Sequence, residues 1–257
     1  MKEFDRLTEI VKKLRNPEKG CPWDLKQTSK SLIPNFIEEL YEAVEEIEKE
    51  DYESLAEELG DLMLHIVMQV RIAEEENHFS MEDVLTGISE KLIRRHPHIF
   101  SSPDNISADE VKKNWEQIKQ SEKKEIRKSL LDGIPFSMPG LIVAQRMQEK
   151  AASAGFDWDS PELVFDKIDE EITEIKEAVA NNNQDEIEEE IGDLLFSAVN
   201  LARKLNADSE TALRRAIKKF KVRFNKIEEY HHRNGENIYE SSLEKLDEIW
   251  TSVKRDV

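Results

Sequence analysis

The 257-residue chain carries 37 Lys and Arg against 56 Asp and Glu, a formal net charge of −19, and 36% of its residues are charged while 38% are apolar. So acidic a surface repels a phosphate backbone, which argues against nucleic acid and anionic membrane as partners but leaves room for a small phosphorylated substrate, because bound cations reverse the local field. Cys21 stands alone, so neither an internal disulfide nor a cysteine-held zinc is available, and no apolar run nears the roughly 20 residues that span a bilayer; a cytoplasmic protein is the expectation.

With 8 Gly and 8 Pro and so many charges, the composition suits helices with one wet face, and an all-α fold is expected. Phe36, Leu40, Val44 and Ile47 fall at helical spacing, and Leu55, Leu59, Leu62 and Ile66 do so after a break near Asp51, which predicts a helical hairpin. Lys91 and Arg95 follow on a further helix, with Pro97 between His96 and His98 ending it in a turn. Leu131 to Gly140 then places two prolines and two glycines where no helix can run through.

Beyond that break the chain repeats itself. Glu39, Glu42, Glu58 and Asp61 recur as Glu171, Glu174, Glu190 and Asp193, each 132 positions later. The apolar stripes return as Ile168, Ile172, Ile175 and Val179, then Ile187, Ile191, Leu194 and Ala198, with Asn181, Asn182 and Asn183 favouring the turn between them. Trp23-Asp24 matches Trp158-Asp159, Lys91 and Arg95 match Lys219 and Arg223, and Trp115 matches Trp250. Two helical domains of one plan are expected, 1–128 and 142–257, joined by a Pro/Gly linker at 129–141. Neither hairpin can bury its stripe alone, so the bundles need neighbouring helices, including those of a second chain.

Residues three apart on a helix lie about 60° from one another, so Glu171 and Glu174 project together, as do Glu190 and Asp193 on the next helix. Four carboxylates converging between two helices need a cation, and an oxygen-only set suits a hard ion, Mg²⁺ or Mn²⁺. The first quartet, Glu39, Glu42, Glu58 and Asp61, offers a second metal site. Gly60 and Gly192 cost helix stability beside these acids, which points to close approach of a ligand or of another helix.

Glu170-Glu171-Ile172-Thr173-Glu174 followed by Glu189-Glu190-Ile191-Gly192-Asp193 resembles the signature of the MazG nucleotide pyrophosphohydrolases. Gly20-Cys21-Pro22-Trp23-Asp24, Arg95-His96-Pro97-His98-Ile99-Phe100 and Gly155-Phe156-Asp157-Trp158-Asp159 resemble segments of the tandem form of that family, so the likeness covers nearly the whole chain. The resemblance implies a helical, homodimeric enzyme that hydrolyses nucleoside triphosphates with Mg²⁺, giving a monophosphate and pyrophosphate for nucleotide-pool control. It also implies metal ligands at Glu171, Glu174, Glu190 and Asp193, activity carried mainly by the C-terminal domain, and nucleotide contacts at Lys167, Lys219, Arg223 and Trp250.

The residues agree chemically. Lys219 and Arg223 share a helix face and Lys167 stands one turn before Glu171, a set able to grip phosphates, and Trp250 can stack on a base. Glu170 or Glu189, each about 100° around its helix from a proposed ligand, can accept the proton of an attacking water. The first half has Asn35 in place of Lys167. Three other readings stay open: a di-iron bundle, which needs Glu-x-x-His motifs that the repeat lacks, a helical interaction protein without activity, and a narrower pyrophosphohydrolase for dUTP-like or phosphoribosyl-ATP-like substrates.

Overall fold

The structure is a computed structural model that describes residues 2–101, 106–122 and 129–254, and every regular element among them is helical. Two compact units divide the chain, Met1–Glu122 and Lys123–Val257. The expected end of the first domain, at 128, lies outside the described residues. The Pro/Gly segment is tied to the second unit, because the Lys150 ammonium donates to the carbonyls of Leu130 at 3.0 Å and Asp132 at 2.7 Å and Ile134 is buried.

The first unit runs α1 (Lys2–Leu14), α2 (Pro22–Lys26), α3 (Ile33–Lys49), α4 (Tyr52–Glu75), α5 (Met81–Arg95), α6 (Pro97–Phe100) and α7 (Ala108–Glu122). The α3–α4 hairpin is set by local chemistry. Pro34 sits in the first turn of α3, Glu50 ends that helix in the left-handed region at φ 59, and the Asp51 side chain accepts from the backbone N–H groups of Glu53 and Ser54 to start α4. Ser80 and Asp83 form a reciprocal capping box that opens α5. The core lies where α1 crosses the second half of α4, with Val11, Leu32, Val67, Met68 and Ile72 buried and Phe4, Leu7, Leu64 and Met81 packed around them.

The second unit runs α8 (Gly140–Ser153), α9 (Pro161–Ala180), α10 (Gln184–Lys204), α11 (Ser209–Asn234), a 3₁₀ turn at Ile238–Glu240 and α12 (Leu243–Val253). The three asparagines divide the labour of the α9–α10 turn: Asn182 takes φ 48, and the Asn183 side chain accepts from Glu186 N–H to cap α10. Gly235, at φ 64, closes α11. Ile227, Ile249 and Val253 form a buried cluster between α11 and α12, against which Ile238, Leu246 and Trp250 pack.

Part of each predicted stripe stays uncovered within its own unit. Ile47 is 57% exposed and Leu59 51% in the first hairpin, and Val179 is 54% and Ile191 43% exposed in the second. A helix face this apolar is ordinarily covered, so the units as described are incomplete bundles.

Candidate metal and nucleotide site

In the second unit the α9–α10 hairpin brings one oxygen each of Glu171, Glu174 and Glu190 within 4.8 Å of one another. Asp193 is exposed and stands outside this trio, although its charge still bears on Glu190. Glu171 is the centre of the arrangement and is only 2% exposed. Its Oε1 accepts from the Lys167 ammonium at 2.8 Å, while its Oε2 is buried with no hydrogen-bond partner. A buried carboxylate oxygen left without a partner is costly, and a cation is the group that would satisfy it. Donor chemistry and the orphaned oxygen thus both fit a hard divalent ion.

The first unit assembles a different three of its four acids, Glu39, Glu58 and Asp61, and leaves Glu42 exposed outside the trio. Here the nearest nitrogen belongs to an imidazole: His65 Nε2 lies 3.8 Å from Glu39 Oε1, and His65 Nδ1 is buried without a partner. His65 lies four residues after Asp61 and has no histidine counterpart in the second half, where Ser197 stands at the matching position.

Burial and mutual repulsion raise the pKa of four of these acids. Glu190 is raised by desolvation and then by Glu174, Glu171 and Asp193; Glu174 by desolvation and its acidic neighbours, with Lys167 opposing; Glu39 and Glu58 by desolvation and the acids facing them. Groups with raised folded pKa values favour the folded state fully below the unfolded value of 4.5 and lose that contribution as pH rises through the raised value. Glu75 and Asp157 run the opposite way. Burial alone pushes each up, but the bonds and charges of Arg15 and Arg71, and of Arg203 and Lys204, hold them low, so their contribution fails only as pH falls below the ordinary range.

Metal-free protein in chelator is therefore expected to melt higher as pH falls from neutral toward the ordinary carboxylate value of 4.5, and lower on further acidification. Saturating divalent cation should flatten the first limb, and Glu190→Gln should reduce it, since Glu39 and Glu58 keep their raised values. A melting temperature already falling between pH 7 and 5 would contradict the strain assigned to these clusters.

Besides Lys167 on α9, the proposed phosphate and base contacts lie on α11 and α12 of the same unit. Arg223 stands over the Trp250 ring at 5.8 Å, its Nε buried and without a hydrogen-bond partner, and Lys219 is exposed one turn earlier. Trp250 also meets Phe220 at a ring separation of 5.2 Å and packs on the Ile227 cluster, so its own unit holds much of its surface. Glu170 is exposed and bonded to Lys167 at 3.0 Å, and Glu189 is exposed.

The first unit repeats the cation–aromatic pair, with Arg95 over Trp115 at 5.3 Å, but here the arginine is buried and engaged. Glu122 accepts from Arg95 Nη2 at 2.6 Å and from Arg94 Nε at 2.5 Å, which holds its carboxyl down to about 2. His96 caps the end of α5 through Nδ1 and the Leu92 carbonyl and meets Trp115 edge-on, which makes it a turn residue as expected. The Glu122 clamp had no sequence signal, since the acid lies 27 residues from Arg95 and outside every repeated motif. Nor did the pairing of Asp157 with Arg203 and Lys204, although Asp157 lies inside the Gly155–Asp159 segment.

Gly60 and Gly192 answer one expectation. A Cβ at either would meet nothing within 4 Å, so tight packing inside the unit does not require them. Both glycines face open space, so the close approach of another helix expected from the sequence is not found within the unit.

The model of the MazG nucleotide pyrophosphohydrolase domain matches this chain twice, over residues 27–100 and 159–227. The chain belongs to the MazG family. Each MazG match contains one complete acid quartet, so the repeat read from the sequence is a repeat of the family domain. The Thermotoga maritima protein named nucleoside triphosphate pyrophosphohydrolase/pyrophosphatase MazG is 47% identical, over 98% of this chain and 95% of its own length. The Escherichia coli K12 protein named nucleoside triphosphate pyrophosphohydrolase is 43% identical, over 99% of this chain and 98% of its own. Bacillus subtilis YabN is 41% identical over 98% of this chain but 52% of its own length, so the tandem MazG arrangement also forms part of a longer protein.

Proposed function

We propose that this MazG protein hydrolyses ribo- and deoxyribonucleoside triphosphates between the α and β phosphorus, with Mg²⁺, and that the second unit carries most of the activity. The observation that carries the reading is the buried, half-unpartnered carboxylate of Glu171 set among Glu174 and Glu190. Family membership and the names of two full-length relatives support the reaction class.

Glu171, Glu174 and Glu190 would hold the ion, with Asp193 completing the set by a side-chain rotation, and an oxygen-only set favours Mg²⁺ with Mn²⁺ as substitute. When bound, such an ion neutralises phosphate oxygens and makes water a better nucleophile. Lys167, Lys219 and Arg223 grip the polyphosphate, and Trp250 stacks on the base. A water oxygen bonds to the α-phosphorus as the bond to the bridging oxygen breaks. The proton passes to Glu170 or Glu189, and pyrophosphate leaves. The quartet at Glu39, Glu42, Glu58 and Asp61 forms a second metal site, in a unit where Asn35 replaces Lys167.

The uncovered hairpin faces fit a homodimer in which a second copy completes each bundle. The domains are assigned as 1–128 and 142–257 about a linker at 129–141, and nucleotide-pool cleansing in the cytoplasm is the role that suits broad hydrolysis.

Incubating the protein with a nucleotide mixture and Mg²⁺ and resolving the products by ion exchange tests the reaction. Monophosphate and pyrophosphate are expected from several bases. Diphosphate and phosphate would refute the bond assignment, and turnover of dUTP alone would narrow the substrate.

A further inference from the structure

Both units gather carboxylates at the same place on the same hairpin, yet the groups set against them differ. In the second unit an ammonium is built in: Lys167, one turn before Glu171 on α9, reaches Glu171 Oε1 at 2.8 Å and Glu170 Oε1 at 3.0 Å. Its charge is further stabilised by those two bonds, which push its pKa up. In the first unit the matching position is Asn35, which carries no charge, and Glu39 instead faces the His65 ring at 3.8 Å.

We propose that Lys167 is a resident counter-ion of the second metal centre, occupying Glu171 until a divalent cation displaces it toward Glu170 and the incoming phosphates. The inference deepens the proposed function and rests on the second unit being a metal centre. Its physical basis is competition for one buried carboxylate. A lysine ammonium and a divalent ion cannot share Glu171 at full strength, because two cations on one 2%-exposed group repel with little water to screen them.

Displacement costs little only if the ammonium has another anion within reach. Glu170 already provides one, and a polyphosphate provides a better one, so nucleotide and metal favour each other's binding in this unit. The first unit has no such device at position 35, and its metal affinity should not depend on nucleotide in this way.

The two positions can be exchanged. Mn²⁺ alone is titrated calorimetrically into the full chain, with Glu39→Gln and Asp61→Asn silencing the first centre. There Lys167→Asn is expected to tighten Mn²⁺ about tenfold while Lys167→Arg, which keeps the competing charge, stays near the parent. In the reciprocal background, with Glu171→Gln and Glu190→Gln, Asn35→Lys should weaken Mn²⁺ at the first centre about tenfold.

A lysine that serves only phosphate binding would leave Mn²⁺ affinity unchanged, and one that only props the helix would weaken it on removal; either result overturns the inference. Absence of Mn²⁺ binding by the second centre with Lys167 in place, and also with asparagine there, would sink the metal-centre reading itself.

Discussion

Glu171→Gln is expected to lower turnover of a nucleoside triphosphate by about 10³-fold while leaving the protein folded. Glutamine keeps the volume of the side chain in a position that is 2% exposed, and it removes the charge on which both a cation and Lys167 depend. No neighbouring acid can replace it, since Glu174 and Glu190 belong to the same trio and Asp193 is already assigned to the same ion. The uncharged amide also relieves repulsion within the cluster, so the metal-free variant should melt no lower than the parent. Glu39→Gln in the same assay should cost far less, because the second unit is assigned the main activity. Single-turnover rates with a melting curve for each variant check both statements. A Glu171→Gln protein within about tenfold of the parent rate would remove the second unit from the mechanism.

Arg15→Ala should be among the most destabilising substitutions in the first unit, by about 3 kcal/mol. Arg15 is 6% exposed, and its guanidinium holds the Glu75 carboxylate at 2.7 Å while Nη1 donates to the carbonyls of Asp24 and Gln27. Truncation leaves a part-buried carboxylate and two carbonyls without their donor, and only Arg71, at 3.0 Å from Glu75, remains to compensate. A drop of at least about 10 °C in the first thermal transition of the full chain is expected. Arg71→Ala, whose ion pairs are more solvated, should shift it much less. Equal effects of the two would mean that the buried position of Arg15 contributes nothing.

The hairpins and their turns were legible because their determinants are local. Apolar spacing set α3, α4, α9 and α10, Asp51 and the three asparagines set the turns, and the constant offset of the acids carries the tandem MazG plan in the sequence alone. Pairing across long sequence gaps was not legible. Glu122 and its two arginines, Arg15 with Glu75, and the approach of His65 to Glu39 all join residues whose spacing carries no period.

The candidate site shows the same division. Helical periodicity identified which eight acids share faces, but it assigned all four of each quartet alike. Backbone register fixes only the direction in which a side chain leaves its helix. Whether its terminal oxygens converge depends on rotamers, neighbouring charges and burial, which the packed hairpin decides. Hence the sequence by itself determined the repeat, the two hairpins, the family and which acids share helix faces. Only the tertiary structure decided that Glu171 is the buried one, that Glu42 and Asp193 stand apart, and that Lys167 rather than solvent faces Glu171, because burial and convergence are properties of several elements at once.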